Sequence, residues 1–209
     1  MKIKILVTLL FSISLVGCFK TTEEHSFNAK DAWQELESVL KQHYAYIDRP
    51  DFNAQKVFNE FQIRTSEATT RQEFADISQM FLRHFLDPHL NLGPYDENDF
   101  SVFPTGSDIR AIYKDNEFII EDVKADGAAD LANIRPGAEV VAIDNLPIKE
   151  SVEKVFGRQF EQLSLQQINY GVNISLGGYR NRERTISLKH QGELKTYHLA
   201  ASYDSINAF

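Results

Sequence analysis

Cysteine is almost missing from this chain of 209 residues: Cys18 is the only one, so no internal disulfide can staple the fold. Basic excess is missing too. The 22 Lys+Arg face 30 Asp+Glu for a net charge of −8, which argues against nucleic acid as a partner, because phosphate binding needs a basic face. Ten Gly and six Pro are too few for a collagenous or low-complexity chain. The one long apolar run, Ile5 to Leu15, falls short of the roughly 20 residues that a membrane-spanning helix takes. What remains is 43% hydrophobic and 25% charged, the balance of a globular protein, with length for one large domain or two modest ones. No repeat is visible.

The apolar run has the length of an export-signal core, and Lys2 and Lys4 supply the positive residues ahead of it. It ends in Leu15-Val16-Gly17-Cys18, which resembles a bacterial lipobox. That resemblance implies removal of residues 1–17, a diacylglycerol on the Cys18 thiol, and a membrane anchor through that lipid. Stable anchoring takes more than one acyl chain, which lipoprotein maturation supplies. Phe19, where an Asp would retain the protein at the inner membrane, implies an outer-membrane location facing the periplasm. Residues 18–27 would then be a lipidated tether.

A helical module is expected over residues 28–95. Trp33, Leu36, Leu40 and Tyr44 recur at spacings of three and four, so they share one helical face. Val57, Phe58 and Phe61 mark a second helix. Thr70 and Glu73 form a capping-box pattern ahead of a third, which carries Phe74, Ile77, Phe81 and Phe85 and stops before Asp87-Pro88. The aromatic stripe reads as the core of a small bundle.

The texture changes after Gly93-Pro94. Short β-like runs cover Ile109 to Tyr113, Phe118 to Val123, Val140 to Ile143, Thr185 to Leu188 and Tyr197 to Leu199, separated by turn residues such as Asp115-Asn116 and Gln191-Gly192. Two short helices are expected, at Ala128 to Asn133 and Ile148 to Phe156. The fold class is therefore α+β: a small N-terminal helical bundle, then a short-stranded β-barrel or sandwich with two helices over residues 96–200.

Residues 126–148, from Asp126-Gly127-Ala128-Ala129 through Ile134-Arg135-Pro136-Gly137 to Ile143-Asp144-Asn145-Leu146-Pro147-Ile148, resemble the signature of bacterial PDZ domains. Ala128, Ala129 and Ala132 let a helix lie close on a sheet. Asn133 stands where the helix end wants a left-handed residue, and Pro136-Gly137 makes a turn. The resemblance implies capture of peptide or protein C-termini by strand addition, with backbone N–H groups of a loop receiving the terminal carboxylate. The peptide-binding candidates are Thr105, Gly106, Ser107 and Ile109 in that loop and strand. Val152, Val155 and Phe156 are expected on the opposite wall of the groove. Asp108 would repel a carboxylate if it pointed inward.

A lipobox, a helical module ending in Leu86-Asp87-Pro88-His89-Leu90, and then a PDZ-like region is similar to the front of the carboxy-terminal-processing (tail-specific) serine peptidases and their tricorn-core relatives. Ala32-Trp33 with His43-Tyr44-Ala45-Tyr46, Thr70 to Phe74, and Gly178-Tyr179-Arg180-Asn181 before the strand at Arg184 carry that likeness. It implies that His89 is the general base to a serine of a distal catalytic domain, of which residues 201–209 would be the start. His84 and His89 make no metal pair, having no third ligand nearby, and no cofactor is expected. With no Gly-x-Ser-x-Gly elbow, the chain as written is not expected to hydrolyse peptides alone. The readings left open are the recognition half of a tail-specific peptidase, a stand-alone adaptor lipoprotein that delivers C-termini to a separate peptidase chain, and a structural envelope protein.

Overall fold

The computed structural model describes residues 27–93 and 95–201. The signal segment, Cys18 and most of the expected tail lie outside the described residues. Three helices come first: α1 (Ala29–His43), α2 (Ala54–Ser66) and α3 (Arg71–Arg83). Each begins where a side chain accepts from orphan N–H groups: Asn28 caps α1, Asn53 caps α2, and Thr70 with Glu73 forms the expected capping box on α3. Trp33, Phe58, Phe61, Phe81 and Phe85 are almost fully buried and meet edge-to-face or tilted, so the aromatic stripe is the bundle core.

The remainder is an antiparallel sheet with helices. Strands β1 (Ile109–Lys114), β2 (Glu117–Val123), β3 (Glu139–Ile143), β5 (Arg184–His190) and β6 (Glu193–Leu199) lie in that order across the sheet, and the two-residue β4 (Leu146–Pro147) pairs with β3. Helix α4 (Ala128–Leu131) follows β2 and ends as expected. Asn133 takes a left-handed φ of 62°, and Ile134 N–H returns to the Ala129 carbonyl at 3.0 Å, a Schellman closure that drops Ile134 into the core. Helix α5 (Ile148–Phe156) has the expected bounds.

The expectation of two helices needs correction, because a third, α6 (Leu165–Gly177), packs on α5 and β1. Its whole second half, from Gly171 to Gly177, is buried. A Cβ on Gly171 would sit 2.9 Å from side-chain atoms of Phe156 and Val152, so the bare backbone lets the two helices approach this closely.

The helical bundle docks on the C-terminal end of α5. The last carbonyls of that helix have no internal partner, and three side chains of the bundle donate to successive ones. Arg83 Nη1 reaches Val155 O at 3.3 Å, His84 Nε2 reaches Phe156 O at 3.1 Å, and Arg64 Nη1 reaches Gly157 O at 3.0 Å. Arg158 pairs with Glu60 beside them.

Candidate functional site

His89 sits just past α3, where the chain turns through Leu86 at a φ of 54° and then Asp87-Pro88. The Asp87 carboxylate folds back on this turn. One oxygen accepts the His89 backbone N–H at 2.9 Å and faces its Nδ1 at 3.1 Å; the other accepts the Tyr44 hydroxyl at 3.1 Å. Burial works against charge on Asp87, but the hydrogen bonds from His89 and Tyr44 outweigh it and hold the carboxyl below its ordinary range. Burial and the Asp87 charge push the Tyr44 hydroxyl up to about 12. An ionised carboxylate only accepts, so the proton of a neutral His89 lies on Nδ1 and Nε2 is left as the acceptor. The His89 side chain is 94% exposed. The result is an imidazole oriented by a carboxylate that a tyrosine orients in turn, with its basic nitrogen in solvent.

The expected groove differs from what the sheet presents. Val152, Val155 and Phe156 are fully buried in the core between α5, α6 and the sheet, so they are no groove wall. Their apolar spacing on α5 signals burial, and it signals equally for core and for cleft. The helix that lies along β1 is α6. Asn173 Oδ1 accepts Ala111 N–H at 2.9 Å while its Nδ2 donates to Ala111 O at 2.8 Å, and Asn169 Oδ1 accepts Tyr113 N–H at 2.7 Å. Ser107 Oγ donates to Ile109 O at 2.8 Å and faces Ile109 N at 3.4 Å. Side chains thus occupy the backbone groups along the β1 edge, which blunts it against strand addition.

The loop before β1 is similarly engaged. Gly106 is buried with its N–H turned to Val102 O, and a Cβ there would meet that carbonyl at 2.8 Å. Ser107 N–H bonds Pro104 O at 3.3 Å, Ile109 is 2% exposed, and Thr105 stands at the surface. Asp108 points away from this loop into the core, against Arg184 and the N–H of Ala129.

Open space lies instead between the two units. A cleft of about 910 Å³ runs between α3 and the end of α5, floored by Phe100 and Tyr179, whose rings stack at 4.6 Å. A much smaller cleft of about 40 Å³ passes Ser101 to Asp87, Pro88 and Leu90; His89 itself lines neither cleft. Arg83 lines both. No sequence pattern pointed to this space, because it exists only once the bundle has docked.

The chain matches no family model and no curated protein. Among the described residues no cluster of three or more His, Cys, Asp or Glu could hold a metal ion, and no helix is long and apolar enough to cross a membrane.

Proposed function

We propose that this chain is the recognition half of a tail-specific serine-type peptidase: it captures the C-termini of peptides or proteins and presents His89 as general base to a serine outside the described residues. The observation that carries the reading is the Tyr44–Asp87–His89 relay. A histidine kept merely for packing is buried or caps a helix. This one is exposed, with one ring nitrogen fixed by an ionised carboxylate and the other turned to solvent, the preparation a base needs to take a hydroxyl proton. Two further features support it. The chain order of two strands, a short helix, a strand pair, helices and a closing hairpin fits a PDZ-type unit, and a small cleft reaches Asp87, Pro88 and Leu90 on either side of the histidine in the chain. The lipobox reading places this activity at the bacterial envelope, tethered through Cys18.

The test is a titration of the full chain with peptides that end in apolar residues, comparing free acids with amides and following cleavage in the same samples. Acid-selective binding without cleavage supports a recognition half whose nucleophile comes from elsewhere. With a serine-bearing catalytic chain added, cleavage that His89→Ala abolishes while leaving binding and stability unchanged assigns the base. Absence of any peptide binding overturns the capture reading.

A further inference from the structure

Within the capture reading, on which this inference rests, we propose that Arg83 receives the terminal carboxylate of the bound peptide at the junction of the two clefts. The β1 edge and the Gly106 and Ser107 N–H groups of the loop before it are already occupied by the chain's own groups, which takes those donors away from a carboxylate. Arg83 does offer donors. Among the described residues its guanidinium makes one hydrogen bond, to Val155 O, lies over the Phe100 ring at 4.9 Å, and has no ion pair. The other cations of the same cleft are differently placed: Arg158 is paired with Glu60, Arg64 is spent on Gly157 O and the Phe61 ring, and Lys154 stands exposed to solvent on α5.

Burial pushes Arg83 down to about 10 although the Asp99 charge pulls the other way, so the cation is desolvated more than its surroundings repay. An arriving carboxylate would supply the missing charge, and the fork of an arginine suits its two oxygens. Ser101 strengthens the site. It lines the smaller cleft beside Arg83, is 3% exposed, and its Oγ is buried without a hydrogen-bond partner. Phe100, Tyr179 and Met80 then give apolar surface for the residues preceding the terminus, along the larger cleft.

The acidic groups of the cleft set the alternatives. Asp99 lines both clefts and its charge acts on Arg83, but its oxygens accept from Gln79 and from the Asp96 N–H and it makes no ion pair with Arg83, while Glu153 accepts from the Phe160 N–H. Asp76 and Glu150 remain at the rim and disfavour an anion that stays in the open part of the cleft. The inner junction also carries Asp99, and the smaller cleft Asp87, and there Arg83 and the unpartnered Ser101 Oγ are the groups that favour an anion.

The experiment measures binding of an N-acetylated peptide Ala-Leu-Ala as free acid and as amide, and of an amidated peptide ending in Asp, to the full chain and its variants. The expected result is acid binding about tenfold tighter than amide in the parent chain. Arg83→Gln should lower acid affinity to the amide level and leave the amide unchanged. Arg83→Lys, which keeps the charge and loses the fork, should lose several-fold on the acid alone, and it carries the test should the Gln variant fail to fold. Ser101→Ala should weaken the acid by a smaller factor. An acid preference that survives Arg83→Gln overturns this assignment while leaving peptide capture standing. Equal binding of the amidated Asp peptide overturns recognition of a chain terminus. Failure of all peptides to bind the parent chain overturns both.

Discussion

Asp108 and Arg184 lie side by side in the sheet unit, each almost completely enclosed, with side-chain exposures of 2% and 1%. Asp108 also accepts the Ala129 N–H at the start of α4 at 2.9 Å, and Arg184 donates to Ala200 O at 2.8 Å. One pair thus ties the entry of β1, the start of α4 and the exit of β6. Burial lowers the Arg184 pKa, and the Asp108 charge beside it opposes the shift. Removing one partner leaves the other charged, buried and alone, so Asp108→Ala should cost about 3–5 kcal/mol in urea unfolding. Replacing both by Leu and Met should cost clearly less than the single change, since no lone charge remains. A single change that costs no more than the double would show that the cavity, and not the stranded charge, sets the penalty. From the sequence, Asp108 looks like a hazard inside a carboxylate loop. Its partner lies 76 residues away, a distance over which no local pattern speaks.

Among elements, α6 shows where local patterns mislead. Leu165–Gly177 contains Gly171, two Asn and several β-branched residues, all poor helix formers, and its buried face carries Asn173 and Ser175 as well as Val172, Ile174 and Leu176. The apolar period is blurred for that reason. One signal was available: Ser164 and Gln167 make a capping box at its start. By contrast β1, β2 and α5 are legible, because alternation or a clean apolar face coincides with turn residues at each end. The Asn residues that spoil the helix pattern are there for the sheet. In Asn173→Ala the Ala111 N–H and C=O lose their partner in the interior, where each unsatisfied group costs about 1–3 kcal/mol. The expected loss is about 2–4 kcal/mol by thermal or chemical unfolding. Asn169→Ala strips a single N–H in a less buried place and should cost about 1–2 kcal/mol. If Asn173→Ala costs under 0.5 kcal/mol, about the scale of an ordinary surface change, water takes its place and the β1 edge is open to solvent and to peptide strands.

At the scale of the whole molecule, the geometry beside His89 depends on the bundle staying docked on α5, and His84 lies at the centre of that contact. It is fully buried, donates from Nε2 to Phe156 O, accepts at Nδ1 from Gln167 at 3.0 Å, and packs between Phe61 and Phe156. This arrangement suits only the neutral ring, because a proton on Nδ1 would turn the acceptor for Gln167 into a second donor. Burial, then the Arg158 charge, pushes its pKa down from 6.5 to about 4, with Glu60 opposing and Arg64 adding to the fall. Between those values the unfolded chain binds a proton that the folded chain refuses. Stability is therefore full above pH 6.5 and declines as pH falls toward 4, by about 3 kcal/mol in all. Asp87, with its lowered pKa, loses its contribution only below its unfolded value of 3.8 as pH falls through the folded one, so the range from 6.5 to 4.5 reports on His84. His84→Gln keeps an amide donor for Phe156 O and does not titrate. In urea unfolding across that range the parent chain should weaken with acid and the variant should stay flat. Matching slopes would place the titrating group elsewhere and leave His84 as a packing residue. A slope confined to the parent chain would mean that mild acid loosens the seat of α3, and with it the turn that orients His89.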